Sequence, residues 1–135
     1  MSIKILVNLL ALYALAILAG CSSKPPVVPL TGTVKFEDGS PASGAYVIFE
    51  GVDRPISATA IVSVDGSFSI RTFGANDGIE KGRYRVAVTP PARDDVNGKL
   101  PVMKMDPKYK QFETSGFEFS IESNPKPVQL IVTKK

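Results

Sequence analysis

The chain contains one thiol, Cys21, and it closes the stretch Leu18-Ala19-Gly20-Cys21. Ahead of it runs an almost wholly aliphatic segment, Ile5 to Leu18, broken only by Asn8 and preceded by Lys4. A short basic region, an apolar run of this length and small residues at its end are the parts of a secretory signal. Two plainer readings are an uncleaved N-terminal helix and a buried apolar helix of a soluble protein. The first would be short for a membrane span, which needs roughly 20 apolar residues.

Those last four residues resemble the bacterial lipobox, with Leu, a small residue, Gly and Cys in order after the h-region. The resemblance implies that the Cys21 sulfur receives a diacylglycerol, that the chain is cut between Gly20 and Cys21, and that the new amine is acylated. Residues 1–20 are then a lipoprotein signal peptide, and the mature chain begins at lipidated Cys21. The implied partner is the membrane, held through that lipid, with the domain facing the periplasm. Ser22 follows the cysteine in place of Asp, which by the same resemblance favours the outer membrane. An acylated Cys21 leaves no disulfide, thiolate nucleophile or zinc-thiolate site.

Other chemistry has few carriers. The chain has no histidine and no tryptophan, so the usual general base and the commonest transition-metal ligand are missing. Asp65 in Val64-Asp65-Gly66 could suggest calcium, but such a loop needs several more oxygen ligands in sequence. Asp94-Asp95 with Asn97 is another cation candidate, set against a solvated polar loop. Met103 and Met105 could hold Cu(I), or fill an apolar gap as loop methionines more often do. Arg83 and Arg85 share one side of a strand and could receive an acidic partner, or face water. No catalytic residue, metal or cofactor is assigned. A carboxylate-pair glycosidase would need two acids aimed into one apolar cleft, and the pattern identifies no such pair.

Charge excludes one further class. The 135 residues carry 16 Lys and Arg against 13 Asp and Glu, a net charge of +3. The charges are interspersed, whereas nucleic-acid binding needs a clustered basic stripe. The 115 residues after Gly20 suit one domain with a small core.

The elements that must position these residues are strands. Pro25, Pro26 and Pro29 make residues 21–29 an extended tether behind the lipid. From Leu30 onward apolar residues recur with period two. Seven such runs are readable, at 30–37, 45–50, 57–64, 67–72, 83–88, 117–122 and 128–133. Their inward residues include Val34, Phe36, Val47, Phe49, Phe68, Tyr84, Val86, Leu130 and Val132, with Phe117, Phe119 and Ile121 from the sixth run. Asp38-Gly39-Ser40-Pro41 is a turn, and Asp65-Gly66 is a hairpin signal. With no amphipathic helix after the signal, the expected fold is all-β, a seven-stranded sandwich over residues 30–135 behind an N-terminal signal helix. Residues 91–115 form one long connection, and such loops signal function or packing. Part of it is expected to cover the outer face that holds Tyr46 and Ile48. Its charged tip supplies the partner-binding candidates Arg93, Asp94, Asp95 and Lys99.

Four stretches carry a second resemblance. They are Leu30-Thr31-Gly32-Thr33-Val34, Asp38-Gly39-Ser40-Pro41-Ala42-Ser43-Gly44-Ala45, Val64-Asp65-Gly66-Ser67-Phe68 and Lys81-Gly82-Arg83-Tyr84-Arg85-Val86. In this order they resemble carboxypeptidase regulatory-like domains, a transthyretin-like (prealbumin-like) sandwich related in plan to immunoglobulin-like folds. Asp106-Pro107-Lys108-Tyr109 with Thr114-Ser115-Gly116-Phe117 looks like the C-terminal part of small lipoproteins of planctomycete-type bacteria that carry this domain. The resemblance implies a stabilising or interaction module that is not itself catalytic. The ureide-processing transthyretin relatives rely on histidines that this chain lacks.

The expectation is therefore a lipid-anchored, non-catalytic module of the cell envelope that binds or spaces an envelope protein or polysaccharide, with no nucleic-acid partner. The alternatives are a small-ligand carrier, with a dimer channel lined by Tyr46, Ile48 and Ile131, and a carboxylate-based enzyme.

Overall fold

Alternation buries one side of every run, and the seven runs become seven strands in two sheets. The computed structural model describes Gly20, Ser23 and residues 25–91 and 102–135. Residues 1–19, Cys21, Ser22, Lys24 and 92–101 lie outside the described residues. One sheet has the order β4-β1-β7, from β1 (Thr31–Phe36), β4 (Ser67–Ser69) and β7 (Val128–Val132). The other has the order β3-β2-β5-β6, from β2 (Tyr46–Gly51), β3 (Ser57–Ile61), β5 (Gly82–Thr89) and β6 (Phe117–Ile121). All pairs are antiparallel except β1 with β7, which run parallel. The chain is an all-β sandwich, and among the described residues no helix is long and apolar enough to cross a membrane.

Between the sheets lie Val34, Val47, Phe49, Tyr84, Val86, Val88, Leu130 and Val132, all buried. Phe49 and Tyr84 meet edge to face with ring centroids 6.1 Å apart. Gly32 takes an inward position on β1 because a side chain there would run into the Phe68 ring and the Val128 backbone. Phe117 and Phe119 depart from expectation. They hold the inward register, opposite Val86 and Tyr84, yet stay half-buried. The cause is position, since β6 is an edge strand paired only with β5.

The Asp-Gly-Ser tripeptide occurs twice, at 38–40 and 65–67, and builds the same loop twice. Phe36 N–H bonds the Ser40 carbonyl while Gly39 N–H bonds the Phe36 carbonyl, at 2.8 and 2.9 Å. Ser63, Gly66 and Ser67 repeat the pattern at 2.8 and 3.0 Å. This is a three-residue hairpin loop with a glycine bulge, and Gly39 and Gly66 sit at φ +86° and +89°. Each aspartate accepts the amide and hydroxyl of the serine two residues on. The second loop does not lead into one long ladder, however. β3 and β4 diverge into different sheets and meet again only at Thr59 and Arg71.

The segment after residue 101 packs differently from expectation. Met105 and Tyr109 enter the core between the sheets, Met103 packs against it, and Tyr109 stacks on Phe117 at 5.5 Å. A 3-10 turn, Pro107–Lys110, holds Tyr109 there, capped by the Asp106 carboxylate accepting from Lys108 N–H. The described part of the segment, residues 102–115, thus plugs the sandwich beyond the start of β6. Its Glu113 carboxylate comes to 3.8 Å from Arg85 on the outer face of the four-stranded sheet. Tyr46 stays exposed, as does its neighbour Ile61 at 56%.

Strand register sorts the loops into two ends. β1 and β7 start where β4 stops, and β5 starts where β2 and β6 stop. The tether arrives at this end, where Val28 and Ile79 exchange backbone bonds of 2.8 and 2.9 Å. The loops 52–56, 70–81 and 122–127 lie there too. The Asp-Gly-Ser loops, the 3-10 turn and Lys134-Lys135 belong to the opposite end.

Candidate functional site

The residues that could do chemistry fall into three groups. The first is Gly20 with Cys21. Gly20 is exposed, with no atom near the position of a side chain, and Cys21 lies outside the described residues. The second is the loop tip, where Arg93, Asp94, Asp95 and Lys99 also lie outside them, with Asn97.

The third group is the charged row on the outward side of the four-stranded sheet. Arg83 and Arg85 point outward from β5, as alternation requires with Tyr84 and Val86 inward. Neither is left for an acidic partner. Arg83 donates to Asp53 at 3.0 Å and approaches Glu118 at 3.8 Å. Arg85 donates to Glu50 at 3.4 Å and approaches Glu113 at 3.8 Å, while its Nε is buried without a partner. The hydrogen bond and charge of Arg83 hold the Asp53 carboxyl below its ordinary range.

Glu80 was not legible as part of any site. It is only 4% exposed, at the end of the tether-side loop, and its carboxylate accepts from the Arg54 guanidinium, which stays half in water. The nearby Tyr84 hydroxyl donates to the Glu80 carbonyl at 3.0 Å. Burial pushes the Tyr84 phenol above its ordinary value. The local signal, Glu80-Lys81-Gly82, is an ordinary turn composition and says nothing of Arg54, which comes from another loop.

The remaining aspartates are turn formers. Asp77 accepts the amides of Thr72, Phe73 and Gly74 at 2.8 to 3.0 Å, and these bonds, the one from Thr72 foremost, hold its carboxyl below the ordinary range. Asp65 accepts from the Ser67 amide and hydroxyl. Among the described residues no group of three or more His, Cys, Asp and Glu side chains could hold a metal ion. Met105 is buried in the core, away from any polar ligand set.

The concavities are open. A cleft of about 550 Å³ lies between the end of β6 and the start of β7, lined by Phe119, Ile121, Pro125, Pro127 and Val128 with Glu122 and Lys126. It holds one acid, so it offers no carboxylate pair. Tyr46 and Ile48 lie outward on one sheet and Ile131 outward on the other, so these three share no surface. Compared with known proteins, the chain matches no family model, no curated sequence and no solved structure.

Proposed function

We propose that the chain is a lipid-anchored, non-catalytic β-sandwich module of the bacterial cell envelope, of the carboxypeptidase regulatory-like kind. The observation that carries this reading is the seating of the tether. Pro25 and Pro26 are exposed, Val28 is the first residue bonded to the domain, and Leu30 is the first in its core. The lipobox-like Leu18-Ala19-Gly20-Cys21 therefore stands a short spacer away from one end of the sandwich. Residues 21–27, at about 3.1 Å each when extended, would allow the lipid roughly 20 Å of reach. The non-catalytic part is supported by how the acids are used. Asp38, Asp65, Asp77 and Asp106 cap turns, and Glu50, Asp53, Glu80, Glu113 and Glu118 face arginines.

Metabolic labelling with radioactive palmitate tests the anchor. The wild-type chain should incorporate label and remain with membranes after alkaline washing, because acyl chains contribute about 0.8 kcal/mol per buried CH₂. Cys21→Ala should lose the label. An unlabelled wild type, or a Cys21→Ala protein that still partitions wholly with washed membranes, would overturn the reading.

A further inference from the structure

The sandwich has four edge strands, β3, β4, β6 and β7, and an edge strand leaves backbone groups for another strand to take. Three of these edges are engaged within the chain. Thr59 on β3 and Arg71 just beyond β4 exchange both backbone bonds at 2.9 Å, which ties those two edges together. On β7 the Thr133 carbonyl accepts from Asp106 N–H at 3.0 Å. Along β6 no such contact occurs among the described residues. Val52 N–H bonds the Arg83 carbonyl, so on β5 the groups of Arg83 face β2 and those of Gly82, Tyr84 and Val86 face β6. Their partners Ile121, Phe119 and Phe117 face β5 in return, and the N–H and C=O groups of Glu118 and Ser120 point off the sheet. Burial singles out the same strand. Inward residues of the other edges, such as Ala58, Phe68 and Leu130, are buried, whereas Phe117 and Phe119 are only half-buried.

The side chains of β6 fit a second β6. Between antiparallel copies the free backbone groups meet in registers centred on Glu118, Phe119 or Ser120. Centring on Glu118 sets that acid against itself, and centring on Ser120 sets Glu118 against Glu122. Like charges directly opposite one another are unfavourable. Centring on Phe119 sets Glu118 against Ser120 on both sides of the axis, and no acid opposes another. Glu118 keeps its own cation there, Arg83 at 3.8 Å. The inward side of this register sets Phe119 against Phe119 and Phe117 against Ile121. We propose that β6 is a self-association edge, on which two copies pair antiparallel through Glu118 and Ser120 about a two-fold axis at Phe119. The pairing satisfies the free backbone groups and covers both phenylalanines. It also brings Phe117 of the second copy beside Ile121, where the cleft lined by Phe119, Ile121 and Val128 opens. The axis reverses the strands of the second copy, so the two tethers leave from opposite ends. On the anchored reading both lipids then reach one bilayer with the strands lying along it. The pairing itself does not need the lipid.

The test uses the full chain in nonionic detergent, with sedimentation equilibrium and oxidative cross-linking of introduced cysteines. The wild type should show a monomer–dimer equilibrium. Ser120→Pro removes an N–H that β5 does not use, and proline is tolerated on an edge strand, so the urea midpoint should stay nearly unchanged. By symmetry each dimer loses a ladder bond twice, and dimerisation should weaken on the order of tenfold or more. Directly opposed residues of a non-hydrogen-bonded pair lie closest, so Phe119→Cys should cross-link to itself faster than Glu118→Cys or Ser120→Cys. The wild type, whose one thiol is Cys21, is the blank. A wild type that sediments as a monomer throughout overturns the proposal and leaves the edge to a strand of another protein. Dimers untouched by Ser120→Pro, or fastest cross-linking at Glu118→Cys or Ser120→Cys, overturn it as well. A chain that is never acylated yet dimerises in this pattern would sink the anchor and leave the paired edge standing.

Discussion

Val28 and Ile79 exchange both backbone hydrogen bonds, and this pair is where the tether becomes part of the sandwich. The contact depends on Gly78, which sits at φ +112° and where any side chain would run into the Val28 carbonyl. Gly78→Ala should cost about 1–3 kcal/mol in backbone strain and release the tether up to Leu30, whose carbonyl is held by Ile70 N–H. Amide hydrogen exchange should speed up at Val28 and Ile79 while β2 and β5 stay protected. Undiminished protection at Val28 would count against the latch.

Tyr84 and Arg83 are neighbours on β5 with opposite surroundings. Tyr84 is fully buried, whereas Arg83 lies half in water against Asp53. Tyr84→Ala should cost about 3–5 kcal/mol, as other buried aromatic truncations do, and Tyr84→Phe about 1 kcal/mol for the lost bond to the Glu80 carbonyl. Arg83→Ala should change stability by under about 0.5 kcal/mol. Urea melts check all three, and comparable losses at the two positions would refute the assignment of the strand's faces.

Tyr109 holds the returning segment in the core by stacking on Phe117. Its removal should destabilise the domain by about 3–5 kcal/mol and loosen the 3-10 turn around it. Trypsin should then cut faster at Lys104, Lys108 and Lys110 in Tyr109→Ala than in the wild type. Equal cutting rates would mean that the segment is not held by this ring.

Acid should weaken the fold in a defined window. Asp38, Asp53, Asp65 and Asp77 all have carboxyls held below the ordinary value, Asp38 chiefly by its hydrogen bond with Lys134 and Asp77 chiefly by the Thr72 amide. A folded-state value below the unfolded one means that these groups bind protons more readily after unfolding. Their contribution is complete above the unfolded value of about 3.9 and is lost as pH falls through the lower folded values. The urea midpoint should hold between pH 7 and about 5 and drop toward pH 3. A midpoint that rises or stays level over the lower interval would contradict this.

Local pattern carried much of the fold. Strand existence and facing were readable because alternation is a property of consecutive residues, as in Tyr84, Val86 and Val88 against Arg83 and Arg85. Both Asp-Gly-Ser loops were readable because their bonds close within five residues. The lipobox-like stretch and the absence of histidine are likewise properties of the sequence alone.

What the tertiary structure decided is everything that joins distant residues. Nothing near Arg54 announces Glu80, and nothing near Lys134 announces Asp38. Ile131 was grouped with Tyr46 and Ile48 because each is an apolar residue on an outward register, and only the assignment of strands to sheets separates them. The returning segment shows the same limit. Its apolar residues marked it as packed, but the place was set by the gap where β6 begins, which exists only once both sheets are assembled. Asp106 and Thr133 are joined for that reason, although 27 positions separate them in the chain.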